Sequence, residues 1–358
     1  MSTVVDVALP CAIAQQSGSA RLFGLFGRKS KPAPASTAAD SPRAALDVSH
    51  LLERVDGVPV ISASALAAHA ASGFDDAGAE APGLYLADIS RAWLATLNAE
   101  AFDGRLQSGE SKHFILMGDV EPDRGRAILA FAETTLARYR EHIGDVIHFG
   151  PAEKMPILTF ASDDDYYRYV SAYFSEGHYG LSSGMFIQRG LGHFVFPHED
   201  MWRLEPVIAH ELFHATVAHL PLPAWLNEGL ATNAEFRFGS RFEDPRHVNE
   251  QLPHHRAYWN DARLQDFWSG EAFLQANEGQ ELSYDLARRL VVGLSADWGR
   301  MKQFIATADA ADAGEAVSRE LFGFSLAVPV EALLNRPVVA PLPDSWPQRE
   351  IAAKSSPL

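Results

Sequence analysis

The chain has 358 residues, 47% of them hydrophobic and 10% aromatic, enough to bury a sizeable core and to form about two domains. Its net charge of −16 argues against a nucleic-acid partner, which needs clustered Lys and Arg, and against docking on anionic lipid. A single cysteine, Cys11, excludes an internal disulfide and a cysteine-built metal cage.

Residues 1–48 are rich in Ala, Ser, Gly and Pro and read as a disordered tail that includes the short basic, aromatic stretch 21–31. The first residues carry no early Lys or Arg, and Asp6 and Pro10 interrupt their apolar run. A cytoplasmic location is therefore expected. No uncharged apolar run in the chain approaches the roughly 20 residues of a membrane helix, so no integral membrane segment is expected. Residues 49–111 form an N-terminal region of unknown role, with turn signals at Asp56-Gly57 and Asp103-Gly104.

From His113 the pattern changes. Phe114-Ile115-Leu116-Met117 and Pro156-Ile157-Leu158-Thr159-Phe160 read as buried strands. Between them, 123–143 has the period of a long amphipathic helix. Ser162 is a good N-cap for a helix over 163–174, whose first turn holds three Asp. Met185-Phe186-Ile187 and His193-Phe194-Val195-Phe196 read as the strands of a hairpin. The second of these is either an edge strand that pairs with an extended peptide or an ordinary hairpin strand. His178 and His198 have no identifiable partner.

The segment 205–220, EPVIAHELFHATVAHL, reads as a buried helix containing H-E-x-x-H. At about 100° per residue, His210 and His214 lie one turn apart on one face, where two imidazoles can hold one ion. Glu211 borders that face, placed to reach a metal-bound water without being a ligand. His219 falls on the far side. Leu220-Pro221-Leu222-Pro223 then breaks the helix, and Trp225-Leu226-Asn227-Glu228-Gly229-Leu230-Ala231 opens a second helix folded back on the first. Glu228 would complete a set of two His and one carboxylate, which leaves a position open for water. Glu235 lies two turns after Glu228 on the same face.

These residues resemble the gluzincin metallopeptidases, which combine H-E-x-x-H with a downstream Glu. The W-L-N-E-G-L-A run looks like the second motif of the aminopeptidase branch, and the compact size is similar to the peptidase-MA-like domains of bacteria. The resemblance covers roughly 112–335 and is specific over 205–235. Glu228 follows His214 by 14 residues, a shorter connection than in the large aminopeptidases, and their upstream Gly-x-Met-Glu-Asn motif is absent. The implied class is α+β. A zincin-like core at 112–240 would combine a small mixed sheet with an active-site helix and a glutamate helix, followed by a helical C-terminal subdomain at 241–340 and a tail at 341–358.

The resemblance implies one zinc per chain on His210, His214 and Glu228, with Glu211 as general base for attack of the zinc-bound water on a peptide or protein substrate. It implies that Glu235 accepts a hydrogen bond from a ligand histidine, the alternative being a solvated surface Glu. It places Tyr284, near the start of a helix at 281–296, as an oxyanion donor. The alternative is a Tyr packed on Trp298 or Phe304. Tyr258, His254 and His255 are weaker candidates in a stretch, 241–260, that reads mostly as loop, with the His pair on the surface or lining the cleft. Two further readings stay open: a zinc-binding scaffold without turnover, against which the intact Glu211 argues, and a hydrolase of a non-peptide amide or ester.

Overall fold

The apolar strands expected at 114–117, 156–160 and 193–196 lie side by side at the centre of a five-stranded sheet. The structure, a computed structural model, describes residues 46–73, 81–149, 153–174, 184–239, 245–274 and 278–346. The chain divides into two units, Met1–Ala44 and Ala45–Leu358. Of the tails expected at 1–48 and 341–358, residues 1–45 (with Cys11) and 347–358 lie outside the described residues, as does His178; in the described parts Val48 is buried and the Trp346 indole donates to Gln265 at 3.0 Å.

β1 (Leu52–Val55) and β2 (Val58–Ile61) form a separate two-stranded hairpin, followed by α1 (Ala63–Gly73) and α2 (Ala81–Ala101). Next come β3 (Gln107–Glu110), β4 (Phe114–Gly118), α3 (Pro122–Ile143), β5 (Met155–Phe160) and α4 (Asp163–Ser171). The hairpin of β6 (Met185–Ile187) and β7 (His193–Pro197) leads into α5 (Met201–Val217), α6 (Ala224–Phe238) and α7 (Pro245–Tyr258). α8 (Asp261–Ser269), α9 (Glu278–Leu294), α10 (Trp298–Thr307), α11 (Glu315–Leu321) and α12 (Ala327–Leu334) follow. The class is α+β, and among the described residues no helix is long and apolar enough to cross a membrane.

Local chemistry sets several of these boundaries. Asp56 and Gly57 both have positive φ, 50° and 78°, the geometry of a tight hairpin turn between β1 and β2. Ser162 caps α4 by accepting from the Asp165 N–H at 3.1 Å. Pro122 occupies the first turn of α3, where no N–H is needed.

The large sheet has the order β3-β4-β5-β7-β6. β4, β5 and β7 run parallel, and β3 and β6 are antiparallel at the two edges. Side chains alternate along a strand, so each central strand feeds two cores. Phe114, Leu116, Ile157, Phe194 and Phe196 face the core built with α3, α5, α6 and α9. Ile115, Met117, Leu158, Phe160 and Val195 face the other, with Trp93 and Leu97 of α2 and Tyr169 of α4. Burial on both faces explains why these strands read as continuous apolar runs.

Two expectations are corrected, and one strand is unexpected. β7 is an interior strand and β6 is the edge, because β7 already pairs on both sides. The stretch 241–260, expected as loop, contains α7. Pro253 and many polar residues hide its period; His255 on it and Trp259 just after it are buried. The polar tetrad Gln107-Ser108-Gly109-Glu110 gave no strand signal, yet it pairs with β4 from Gln107↔Gly118 to Glu110↔Ile115.

Candidate metal centre

The helical pair α5–α6 builds the site. α5 ends at Val217, the prolines at 221 and 223 turn the chain, and Pro223 accepts from the Leu226 and Asn227 amides as α6 begins. Leu204, Ile208, Leu212 and Phe213 anchor α5 in the core, which turns His210, Glu211 and His214 toward α6. Gly229 lets α9 approach: a Cβ there would lie 2.6 Å from the Ala287 carbonyl oxygen. That close packing brings Tyr284 to the site, its ring centroid 6.4 Å from that of His210.

His210, His214 and Glu228 each offer one ligand atom within 4.8 Å of the others. Glu228 Oε2 lies 3.2 Å from His210 Nε2 and 3.5 Å from His214 Nε2. Neither contact has hydrogen-bond geometry, and this buried oxygen has no hydrogen-bond partner. The other imidazole nitrogens are engaged. His210 Nδ1 is 2.6 Å from Glu235 Oε1, and His214 Nδ1 is 3.0 Å from Asn227 Oδ1. Both partners are acceptors, so each Nδ1 carries its proton, and each Nε2 presents a lone pair whenever the imidazole is neutral. Two lone pairs and a carboxylate oxygen thus converge with no donor between them. The two carboxylate–imidazole separations match the edge of a tetrahedral N/O site, about 3.3–3.4 Å for metal–ligand bonds of 2.0–2.1 Å. The donor set fits a small divalent cation.

The electrostatics show that the carboxylates demand positive charge here, which protons on the imidazoles or a bound cation can supply. Burial works against charge on His210, yet Glu228 and Glu235 outweigh it and raise its pKa well above the usual imidazole range. His214 is raised against burial in the same way, chiefly by Glu228. Burial opposes the charged form of Glu228 too, but His214 and His210 hold its carboxyl far below the usual range. Glu211 behaves differently: burial raises its pKa, and the histidines only partly offset this. Its Oε2 accepts from the Phe186 N–H of the edge strand at 2.7 Å. The Tyr284 phenol is raised by burial and then by Glu228, Glu211 and Glu235, so it stays protonated as a donor.

His210, Glu211, Glu235 and Tyr284 open into a cavity of about 1070 Å³ between α5, α6 and α9. Tyr284 packs edge-on against Phe273, at 5.4 Å between centroids, rather than on Trp298 or Phe304 as its alternative reading supposed. His219 stands apart, with its ring against His148. The His254–His255 pair splits: His254 is exposed, and His255 is fully buried. His255 Nε2 donates to Asp285 at 2.8 Å, and Nδ1 accepts from the Trp259 indole at 2.9 Å. With both nitrogens taken it has no lone pair for an ion. It holds the residue next to Tyr284, and Tyr258 packs on Trp259 rather than entering the cavity.

Sequence reasoning missed Asn227, the Phe186 amide and the His255–Asp285 pair. Asn227 had a signal, since it directly precedes Glu228 on the helix that faces His214. A backbone amide from another strand has none. No protein-family model matches the chain, and no curated protein matches it.

Proposed function

We propose that the chain is a zinc-dependent peptidase of the gluzincin kind, with a zincin-like core formed by the mixed sheet, α5 and α6. One observation carries the reading: both histidines are anchored through Nδ1, and their Nε2 atoms face a buried carboxylate oxygen that lacks any donor. A set of two His and one carboxylate is a catalytic zinc set that leaves a coordination position open. When bound, zinc supplies a Lewis acid that acidifies water and polarises a carbonyl.

The chain's residues supply the rest. Glu211 accepts a proton from the attacking water and returns it to the leaving amine. Its raised pKa suits both tasks, because a buried carboxyl is a stronger base and can hold the proton between the two steps. The Phe186 N–H orients the carboxylate from the edge strand. Tyr284 donates to the carbonyl oxygen as it becomes an oxyanion. Glu235 and Asn227 fix the imidazole tautomers.

The first test is zinc content per chain in protein purified without a metal-binding tag, wild type beside Glu228→Ala. About one zinc in the wild type and little in the variant supports the ligand set. A folded wild type that takes up no zinc sinks it. The second test is a peptide-library screen. Zinc without cleavage of any peptide would favour a silent scaffold over a peptidase.

A further inference from the structure

The cavity runs along α5 beyond the metal ligands and ends at an aromatic residue that the catalytic reading does not use. Trp202, on the first turn of α5, is 59% exposed yet lines the same cavity as His210 and Glu211. The Arg203 guanidinium sits 4.8 Å from the centre of its ring, and Arg203 in turn lies 3.9 Å from Glu199. This side chain is therefore supported on one side by a cation while presenting much of its surface to solvent. An open aromatic at the rim of a cleft is the kind of residue that carries binding energy once a partner covers it.

The backbone beside it is also incomplete. Pro206, one turn on and in the cavity wall, has no N–H to give the Trp202 carbonyl. A polypeptide lying in the groove can supply an apolar side chain for the ring. Trp202 precedes His210 by eight residues, about 12 Å along the helix axis. An extended peptide covers that distance in about three to four residues.

Resting on the peptidase reading above, we infer that Trp202 forms a subsite for a large apolar side chain three to four residues from the scissile bond of an extended polypeptide. The enzyme thereby acts within chains rather than on dipeptides. The occupant is a substrate segment, because Trp202 lines the same cavity as Glu211 and Tyr284.

The test uses peptides of about ten residues, identical except for one Phe that is walked along a Ser-rich background. Cleavage is measured with wild type and Trp202→Ala, and binding is measured by fluorescence anisotropy in Glu211→Gln and in Glu211→Gln/Trp202→Ala. The wild type should prefer Phe at the third or fourth position from the cut by roughly tenfold in kcat/KM, and Trp202→Ala should abolish the preference while keeping its zinc. The Glu211→Gln pair should show the same difference in Kd. Cleavage with an unchanged preference in Trp202→Ala overturns the subsite and leaves the peptidase reading intact. Binding that depends on Trp202 without cleavage by the wild type overturns the peptidase reading and leaves the subsite. No peptide binding at all overturns both.

Discussion

Two histidines on opposite faces of the same sheet, one fully and one mostly buried, have opposite electrostatics. His193, on β7, is fully buried; its Nδ1 donates to the Leu191 carbonyl and its Nε2 accepts from the Tyr169 hydroxyl, both at 2.7 Å. Burial pushes its pKa down to about 4. His210, on α5, is drawn toward the charged form by Glu228 and Glu235 despite burial. The same side chain is a neutral core group among neutral partners and a cation-seeking group among carboxylates. The contrast separates the face that stabilises the fold from the face built around the proposed metal.

Removing one group at a time sharpens that contrast. The largest effect expected is from Glu211→Gln, which keeps the acceptor oxygen but loses the base. Peptide hydrolysis should fall by about 10²–10⁴ with zinc content unchanged, and full activity would end the general-base assignment. Tyr284→Phe should lower kcat by about 10²–10³ at unchanged zinc content; an effect confined to KM would reduce Tyr284 to a wall residue.

On the other face, the unfolded pKa of His193 lies above its folded value, so the unfolded chain binds more protons between the two. Stability from this group is complete above pH 6.5 and is lost as pH falls toward 4, by about 3 kcal/mol at most. Urea unfolding at pH 7 and pH 4 should show this loss in the wild type relative to His193→Gln. Equal pH dependence in the two would place the acid sensitivity elsewhere. The smallest effect expected is from Asn227→Ala, which frees the His214 ring. Zinc affinity should drop by about 10–100-fold in a chelator competition, with thermal unfolding of the metal-free protein little changed. Unaltered affinity would mean that helix packing alone holds the ring.

Much of the scaffold was legible before any coordinates. H-E-x-x-H has one helical reading, because a helix sets His210 and His214 one turn apart, close enough to share an ion, whereas a strand would hold them roughly 13 Å apart. The prolines at 221 and 223 cannot continue a helix, so they announced the turn between α5 and α6. Uninterrupted apolar runs announced strands covered on both faces. Gln107-Ser108-Gly109-Glu110 was illegible because a polar edge strand obtains its pairing from a neighbour rather than from its own side chains. α7 was illegible because Pro253 and a polar surface mask its period, while the buried His255 on it and Trp259 just after it face inward.

The division follows from range. Sequence by itself determined what depends on neighbours within a few positions: the helix with its paired histidines, the break after it, the Ser162 cap and the Asp56-Gly57 turn. Tertiary structure alone decided which strand became the edge, that the Phe186 amide meets Glu211, that Gly229 admits α9 and with it Tyr284, and that Asn227 faces His214. Each of these contacts joins residues on different elements. A local pattern carries no record of which surfaces meet, and burial of the two cores settles that only when the whole chain packs.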